Sequence, residues 1–415
     1  MTPDPRSLPR LLCTVGRPDL RSHIEQWGGR PAGSPSLIAE IDRSRLGGRG
    51  GAGFPTAVKW AAASAGRGGV VVANGTEGEP ASNKDKTLLH HAPHLVLDGA
   101  ALAAEVLGAS EVVVCVDRSS AAAVRSVTHA VSERIHYGPD PVAFRLEATP
   151  PGYVSGEETA LVNWLNGGDA KPTFGRRPYE RGVDGRPTLV NNVETFAQVA
   201  LIARFGSQWF RGLGTDASPG TALVTVTGDV SHPAVYEVAF GTPLTEVIRP
   251  AGPRGAVQAI LLGGYAGSWL AGPVLEQARL DDVTLKVLGA SLGCGSIVVV
   301  GESSCGLKAT AAIAAWLAGQ SAGQCGPCTL GLPTLADAVN RLVAPGAPAK
   351  WGSQVERWMW MVEGRGACKH PDGAVRMLRS GLQAFAGEVQ GHRQYGDCGR
   401  AAPPLTLPRI SGALV

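Results

Sequence analysis

The sequence has no apolar run that approaches the roughly 20 residues of a membrane-spanning helix. The nearest stretch, residues 309–319, is short and rich in alanine, and it lies between Lys308 and Gln320. Such a stretch is typical of a helix that packs closely against other helices. Residues 1–9 also lack the basic-then-apolar order of a secretory signal peptide. We therefore expect a cytoplasmic protein without a membrane span.

An excess of charge of one sign is also missing. The 38 Lys and Arg residues are nearly balanced by 35 Asp and Glu residues, and no basic run is interleaved with aromatic side chains. This pattern argues against a nucleic-acid partner. Hydrophobic residues make up 44% of the chain and charged residues 18%, a balance typical of folded globular proteins. The length of 415 residues predicts about two to four domains.

The cysteines lack the pattern of a secreted disulfide framework, because the eight residues are scattered along the chain. Five of them are isolated and are expected to be buried or idle thiols: Cys13, Cys115, Cys294, Cys305 and Cys398. Cys325 and Cys328 form a Cys-x-x-Cys motif, and Cys368 follows 40 positions later. Three thiolates at one end of a helical bundle can bind an iron–sulfur cluster or zinc, with His370 as a further candidate ligand. A redox dithiol is the less favoured alternative, since no thioredoxin-like βαβ pattern surrounds the motif.

Glycine, by contrast, is abundant, and four glycines fall within residues 48–53, which we call the glycine loop. Such a run exposes several backbone amides at once. A helix predicted from Thr56 points its positive dipole end at the loop, and Lys59 adds a full charge one turn later. The stretch predicts a phosphate site, although its spacing fits neither the Walker nor the Rossmann pattern. An ordinary surface turn is the alternative.

Short β-branched runs at residues 69–73, 111–116 and 144–148 alternate with helical patterns. This alternation predicts a parallel sheet covered by helices, with ligands at the carboxyl ends of the strands. Three polar segments accompany the strands: the carboxylate loop (residues 74–80), the Gly-Glu-Glu turn (residues 156–158) and the Asn191-Asn192 pair. Each alone is more typical of a solvated turn. Together with the glycine loop they predict a phosphorylated cofactor lying across the sheet.

The composition changes near residue 217. Strand patterns at 221–228, 234–238 and 257–262 surround a short helix at 244–248, which suggests a small β-grasp-like domain. Helical periodicity then dominates from residue 307 and predicts a four-helix bundle. We therefore divide the chain into these parts: a lead-in (1–43), an α/β domain (44–216), a β-grasp, ubiquitin-like domain (217–295), a helical bundle (296–388) and a tail expected to be disordered (389–415).

The ordered motifs resemble one family over residues 44–388. They are Gly48–Trp60, Asn74-x-x-Glu77-x-Glu79-Pro80, Tyr153-x-x-Gly156-Glu157-Glu158-Thr159, Gly185–Thr188 with Val190–Thr195, and Gly323-Gln324-Cys325-x-Pro-Cys328 with Cys368. The family is the flavin-bearing, NADH-binding subunit of respiratory complex I, shared with NAD-linked hydrogenases and formate dehydrogenases. The resemblance implies an α/β fold with a Rossmann-like parallel-sheet FMN domain, a β-grasp domain and an iron–sulfur helical bundle.

The resemblance also implies site residues. FMN would be bound by Gly48, Arg49, Gly50, Gly51, Gly53, Phe54, Lys59, Asn74, Glu77, Tyr153, Gly156, Glu157, Val190, Asn191, Asn192 and Thr195. Its phosphate would lie against the glycine loop, and its ring near Asn74 and the Gly-Glu-Glu turn. Glu79 and Glu158 would line the nicotinamide site as the catalytic residues. Cys325, Cys328 and Cys368 would bind the iron–sulfur cluster.

The sequence departs from the family pattern at three places. Ala322 replaces the first cluster cysteine, which leaves a [4Fe–4S] cluster with an open iron, a [3Fe–4S] cluster or a lost cluster as alternatives; a ligand borrowed from Cys305, Cys398 or His370 has no support from spacing. Ala62 and the Phe174–Pro178 segment replace aromatic partners of the NADH adenine. Arg176 and Arg177 in that segment suit an NADPH 2′-phosphate or an acidic ferredoxin. Thr76 and Ser155 change the polar surroundings of the flavin.

From these motifs we expect an oxidoreductase, an NADH dehydrogenase-like flavoprotein that passes electrons between NAD(P)H and an iron–sulfur partner. That partner would be a ferredoxin or a thioredoxin-like ferredoxin subunit, and the protein could lie at the periphery of a membrane complex. One alternative is a ferredoxin-linked flavoprotein that no longer uses NADH. Another is a non-catalytic scaffold homologue.

Overall fold

The chain forms two compact units in the computed structural model, which describes residues 4–12, 18–66, 68–137, 140–175, 177–344 and 350–406. The first unit comprises the described residues up to Gly78, Asn83–Leu223 and Glu237–Gly241. The second comprises Glu79–Ser82, Val224–Tyr236 and the described residues from Thr242 onward. The expected α/β class is confirmed.

The first unit is built on a parallel sheet of four strands in the order β3-β2-β1-β4. The strands are β1 (Val70–Gly75), β2 (Glu111–Asp117), β3 (Ala143–Thr149) and β4 (Thr188–Asn192). Valine runs make the central strands β1 and β2 apolar on both faces, as strands covered on both sides require. In the register of the sheet, Asn74 is paired with Asn192. The carboxylate loop and the Asn191-Asn192 pair therefore lie at the same edge of the sheet, where the carboxyl ends of β1 and β4 meet.

Helices surround this sheet, and α5 is buried along most of its length. The helices are α1 (Leu20–Trp27), α2 (Ser36–Ser44), α3 (Thr56–Ser64), α4 (Lys84–His91), α5 (Pro93–Leu107), α6 (Ala121–Tyr137), α7 (Glu158–Leu165) and α8 (Val193–Phe210). Asp98 on α5 joins three other helices, because its carboxylate binds His23 on α1, Arg134 on α6 and Arg204 on α8. Helix α1 and all but the last residue of α2 lie in the lead-in (1–43) expected from the sequence; Leu37 and Ile41 of α2 are buried.

A mixed sheet of five strands, in the order β6-β5-β9-β7-β8, has most of its residues in the second unit. Its strands are β5 (Thr221–Gly228), β6 (Ala234–Ala239), β7 (Val257–Leu262), β8 (Ser268–Ala271) and β9 (Ser296–Gly301). The central strand β9 pairs in parallel with β5 and antiparallel with β7. The domain boundary expected at 295/296 would separate β9 from this sheet, whereas its hydrogen bonds place it in the middle.

The remaining helices belong to the second unit. They are α9 (Leu244–Ile248), α10 (Gly272–Leu275), α11 (Asp282–Val287), α12 (Gly306–Gly319), α13 (Leu332–Val343), α14 (Lys350–Val362), α15 (His370–Ala384) and α16 (Ala386–Tyr395). Helices α12 to α15 contact one another in cyclic order and so form a four-helix bundle. Among the described helices, none combines the length and the apolar character needed to cross a bilayer.

The chain stays ordered beyond the bundle. Residues 386–395 form α16, on which His392 is fully buried. Further on, the amide of Cys305 donates to the carbonyl oxygen of Ala401 at 2.7 Å. The expectation of a disordered tail is therefore wrong for residues 389–406, and residues 407–415 lie outside the described chain. The segment is polar in composition, so the sequence alone did not indicate that His392 and Ala401 attach it to the rest of the unit.

Candidate functional site

The glycine loop is a tight turn that presents backbone donors. The Gly48 amide donates to the Phe54 carbonyl at 2.9 Å and the Thr56 amide to the Leu46 carbonyl at 3.0 Å, which closes the turn. Gly51 (φ 116°) and Gly53 (φ 63°) have backbone angles that other residues rarely adopt. Within the described chain, the amides at positions 50–53 donate to no protein group. The loop therefore offers several N–H groups to an anion beside the amino terminus of α3.

Arg49 ties the glycine loop to β5 and α8 through hydrogen bonds. Its amide donates to Thr195 Oγ1 at 2.9 Å, and its guanidinium donates to the carbonyl oxygens of Gly47 and Thr221, each at 3.1 Å. The same guanidinium lies over the ring of Phe240, 4.7 Å from its centroid. Arg49 and Thr195, both predicted as cofactor ligands, thus fix the shape of the glycine loop.

Lys59 and Glu158 form an ion pair through Nζ and Oε2, and both side chains are half-buried. Lys59 projects from α3 and Glu158 begins α7. The sequence analysis assigned Lys59 to the phosphate and Glu158 to the nicotinamide site. The structure brings these two side chains together.

Asparagine side chains join the sheet edge to the neighbouring loops. Asn74 Nδ2 donates to the Gly156 carbonyl at 2.9 Å, and Asn192 Nδ2 donates to the Asn74 carbonyl at 3.3 Å. A Cβ on Gly156 would lie 2.7 Å from the Thr76 carbonyl oxygen, so this approach requires glycine. These bonds gather β1, β4 and the Gly-Glu-Glu turn at one place.

Asn191 differs from these neighbours. It follows the buried Val190 on β4, and its Oδ1 is buried without a hydrogen-bond donor among the described residues. A buried amide oxygen without a donor is unfavourable unless a ligand supplies one. Asn191 therefore offers an unsatisfied acceptor beside the other predicted cofactor residues.

Two of the predicted carboxylates cap helices. Glu77 accepts the amides of Asp85 and Lys86 at the start of α4, each at 3.2 Å. Glu157 accepts the amides of Thr159 and Ala160 at the start of α7. The half-buried Tyr153 precedes the 3₁₀ turn Val154–Gly156 that leads into this cap.

Glu79 lies in the second unit. Its Oε1 accepts the amide of Ala81 at 3.2 Å and its Oε2 the amide of Tyr265 at 2.9 Å. Its side chain is buried. The structure thus groups Glu79 with Tyr265, which the sequence analysis did not single out.

A buried charge cluster beside the asparagines was missed by the sequence analysis. Lys84 Nζ lies 2.7 Å from Asp85 Oδ1, 2.9 Å from Glu194 Oε2 and 3.2 Å from Asn192 Oδ1. Burial alone would lower the pKa of Lys84, but the Asp85 and Glu194 carboxylates raise it well above its usual range. Burial, reinforced by Glu77 and Glu194, raises the pKa of Asp85 to about 6 despite Lys84. A Lys-Asp pair at the start of a helix is normally solvated, so the sequence held no signal for this burial.

The three predicted cluster cysteines come from the bundle. Cys325 precedes the turn Pro327–Gly331, which carries Cys328, and Cys368 precedes α15. Burial would raise the pKa of Cys325, but hydrogen bonds from the amides of Ala367 and Cys328 and from the Cys328 thiol lower it. The pKa of Cys328 is raised to about 12 by burial and by its neighbours Cys325 and Cys368. Cys325 thus receives amide donors, a feature of iron–sulfur ligands, and Cys328 lies close enough to Cys325 and Cys368 for their charges to act on it.

One ring nitrogen of His370, the further candidate ligand, is already engaged. Its Nε2 donates to the Leu317 carbonyl at 2.9 Å, and burial lowers its pKa. Ala322 lies on the loop between α12 and Cys325.

Phe54, predicted as an FMN residue, is exposed, as are described positions of the segment that replaces the aromatic partners of the NADH adenine. Phe54 is 52% and Phe174 64% exposed, and Arg177 is exposed as well, whereas Arg176 lies outside the described residues. Beside α7 the first unit has a cavity of about 400 Å³. Arg181, Thr159 and Thr173 contribute to its lining.

Comparison with known proteins finds two family models, one over each of these parts of the chain. A family model described as the Nuo51 FMN-binding domain matches residues 41–201, and one described as the NADH-ubiquinone oxidoreductase-F iron–sulfur binding region matches residues 299–392. The second F-type subunit of NADH-quinone oxidoreductase from Rhizobium meliloti (strain 1021) is 32% identical over 94% of this chain and 99% of its own length. The F-type subunit from Rickettsia bellii (strain OSU 85-389) is 30% identical over 91% and 96%.

A solved structure is also similar. The NAD⁺-reducing [NiFe]-hydrogenase in the H₂-reduced state has a chain that is 27% identical, with a TM-score of 0.80 over 87% of this chain. This chain spans 63% of that hydrogenase chain.

Proposed function

The chain belongs to the family of F-type NADH-quinone oxidoreductase subunits, and from this premise we propose that it passes electrons between a nicotinamide nucleotide and an iron–sulfur partner protein. The expectations of an oxidoreductase of the NADH dehydrogenase type, with FMN and iron–sulfur chemistry, are confirmed by the matches to both family regions and to the F-type relatives. The residues that perform each role in this chain are our proposal.

The glycine loop is the observation that carries the proposal. Its amides at positions 50–53 donate to no group of the described chain, and Asn191 Oδ1 is a buried acceptor without a donor. A ligand with an anionic end and a polar ring would satisfy both. FMN has this chemistry, so the residues present fit it.

We assign these roles in the first unit. The loop amides and the amino terminus of α3 bind the phosphate, while Arg49 and the buried Lys84 cluster hold the loop and Asn192 in place. Asn74, Asn191 and the Gly-Glu-Glu turn orient the ring. When bound, FMN supplies an acceptor for a hydride and passes electrons onward singly. Glu158, which pairs with Lys59, keeps its proposed role in nucleotide binding; Glu79, which keeps the same proposed role, belongs to the second unit.

An anaerobic titration of the purified full chain tests this function. Addition of NADH or NADPH should bleach the flavin absorbance, with dithionite as the positive control. Bleaching by dithionite alone would remove the nucleotide from the proposal. A colourless protein that also fails to take up added FMN would contradict the flavin assignment itself.

Cys325, Cys328 and Cys368 are the proposed cluster ligands, and Ala322 leaves one iron without a cysteine from this motif. Their amide donors would favour the more reduced cluster by stabilising negative charge on sulfur. We expect Ala322→Cys to add about one iron per chain if the native cluster is [3Fe–4S], and to leave the iron content unchanged if it is [4Fe–4S] with an open iron. Iron and sulfide analysis with electron paramagnetic resonance distinguishes the two. Native protein without iron or sulfide would contradict the assignment.

Two features favour a second candidate, a flavoprotein that exchanges electrons with an acidic ferredoxin instead of NADH. Arg177 is exposed, and Ala62 stands where the family has an aromatic residue. Such binding should weaken as salt rises. It should also fall in Arg177→Glu but not in Arg6→Glu, an exposed arginine near the amino terminus. Affinity that is insensitive to salt would count against this candidate.

The partner and the location are proposed only in outline. A ferredoxin or a thioredoxin-like ferredoxin subunit would suit electron exchange with an iron–sulfur site. A cytoplasmic location, free or at the edge of a membrane complex, agrees with a cysteine pattern that lacks a secretory framework.

A further inference from the structure

A second group of metal-binding side chains lies in the second unit, apart in sequence from Cys325, Cys328 and Cys368. It consists of Cys305, His392 and Cys398, whose ligand atoms all lie within 4.8 Å of one another. Cys305 and His392 are fully buried, and Cys398 is half-buried. The sequence analysis treated both cysteines as isolated, because 93 positions separate them (398 minus 305).

The imidazole of His392 is oriented as in a metal ligand. Its Nδ1 donates to the Val343 carbonyl oxygen at 3.0 Å. In a neutral ring this bond leaves Nε2 with its lone pair, and Nε2 lies 3.5 Å from Cys305 Sγ. Metal-bound histidines in proteins are commonly fixed by such a bond to the other ring nitrogen.

The spacing suits a tetrahedral ion. Zinc–sulfur bonds of about 2.3 Å and zinc–nitrogen bonds of about 2.0–2.1 Å place the two ligand atoms about 3.6 Å apart. The observed separation of 3.5 Å between Cys305 Sγ and His392 Nε2 agrees with this value.

The polar groups around the three side chains already have hydrogen-bond or ion-pair partners within the protein. Glu388 Oε2 accepts the amide of Leu307 at 2.8 Å and lies 3.3 Å from Cys305 Sγ, while its Oε1 accepts from Gln258 and Arg400. Lys308 Nζ lies 2.6 Å from Asp397 Oδ1 and 2.7 Å from the Arg400 carbonyl oxygen, which holds the Cys398 segment against α12. The three side chains thus have a built frame; Glu388, which accepts the Cys305 thiol proton before the ion binds, keeps Leu307, Gln258 and Arg400 as partners once that thiol is deprotonated.

We propose that Cys305, His392 and Cys398 bind one zinc ion that fastens α16 and the segment after it to the amino terminus of α12. Two thiolates and one imidazole are a donor set that zinc favours. Each thiol releases its proton to solvent as the ion binds, and water occupies the fourth position on the half-exposed side of Cys398. The site is independent of the flavin and of the proposed cluster.

Metal analysis of the full chain, purified anaerobically without chelators, tests the proposal. We expect about one zinc per chain in the native protein, and after exchange with Co²⁺ the absorption bands of tetrahedral cobalt–thiolate. Cys398→Ser should lose most of this metal. Cys294→Ser, which removes a thiol of the same unit outside the proposed zinc site, should keep it. Cys325→Ser should lower iron without lowering zinc.

Thermal unfolding and flavin content show whether Cys398→Ser remains folded. Because Cys398 is half-exposed, its replacement should disturb the packing less than a change at the buried Cys305. Three results would overturn the proposal: native protein that binds neither zinc nor cobalt, metal content unchanged in folded Cys398→Ser, or a Cys305–Cys398 disulfide in a non-reducing peptide map of the anaerobic preparation. None of them bears on whether FMN binds.

Discussion

Neighbouring asparagines on one strand have opposite relations to the rest of the protein. Asn192 is fully engaged: its side chain contacts Asn74, Lys84, Asp85 and the Glu194 amide. The buried Oδ1 of Asn191 has no donor in the described chain. One residue therefore stabilises the protein by itself, and the other is adapted to a ligand.

This difference gives a matched pair of variants. Asn191→Ala should leave the melting temperature of the flavin-free protein nearly unchanged and weaken FMN binding about fivefold, since one hydrogen bond contributes about 1 kcal/mol. Asn192→Ala should lower the melting temperature itself, because it leaves buried charged partners unsatisfied. Calorimetry and flavin fluorescence titration measure the two effects. A large loss of stability in flavin-free Asn191→Ala would contradict this division of roles.

Asp98 makes the stability of the first unit depend on pH. Burial would raise its pKa, but the hydrogen bond from His23 and the charges of Arg134 and Arg204 hold it well below its usual range. A lowered carboxyl pKa contributes stability above the unfolded value of about 3.9, and that contribution is lost as pH falls. The lowered pKa values of His23 and His94 act in the same direction.

We therefore expect the free energy of unfolding to fall as the pH is lowered from about 7 to 3, at first because His23 and His94 must take up protons and below about pH 5 because Asp98 must do so as well. Asp98→Asn should be destabilised by about 3 kcal/mol at pH 7, because it leaves buried cations unpaired, and should show a shallower fall. Urea titrations across this pH range measure both. Asp42→Asn, at an exposed position of α2, is the control and should follow the native curve; equal slopes in native protein and Asp98→Asn would refute the assignment.

At the scale of elements, the glycine loop shows how backbone conformation controls binding. Gly53 has φ 63°, and a Cβ there would meet no atom within 4 Å. An alanine would therefore be disfavoured through its backbone and not through a clash.

Gly53→Ala should cost about 1–2 kcal/mol, and the loop should relax so that FMN binding weakens about tenfold. Gly29→Ala, where a Cβ also meets nothing and φ is not in the left-handed region, should change neither property. Flavin affinity and denaturant midpoints provide the comparison. Native affinity in Gly53→Ala would show that the loop amides do not bind the phosphate.

Elements with uniform patterns were predictable, and elements defined by partners were not. The valine runs of β1 and β2 located those strands almost to the residue, and the 3.6-residue period located α12 to α15. Helix α4 was missed because Lys84 and Asp85, rather than apolar residues, form part of its buried face. The expected boundary at 295/296 falls just before strand β9 and separates it from its sheet, since periodicity does not reveal which sheet a strand joins.

The candidate site divides in the same way. The glycine loop, the asparagine pair and the Cys-x-x-Cys motif carry their chemistry in contiguous residues, so the sequence indicated them. The Lys84 cluster and the Cys305–His392–Cys398 group are assembled from distant residues. Such groups need the tertiary structure, because spacing along the chain gives no sign of their contact.

At the scale of the whole molecule, the residues proposed to bind the flavin and those proposed to bind the cluster are separate. The proposed FMN residues lie in the first unit, and the three cluster cysteines lie in the second. Glu79, proposed for the nucleotide and not for FMN, also belongs to the second unit. We expect Gly53→Ala to lower bound flavin without lowering iron, and Cys325→Ser to lower iron without lowering flavin. Absorbance and metal analysis of the same samples measure both. Joint loss of both cofactors from a folded variant would contradict separate sites.

The central place of β9 also governs how the chain is made. Strands β5 to β8 are synthesised first, yet β5 and β7 each need β9 as a partner. Until residue 301 emerges from the ribosome, both strands expose an unpaired edge, the kind of edge that invites aggregation. A nascent chain arrested before this residue emerges should therefore depend on chaperones more than one in which β9 has emerged.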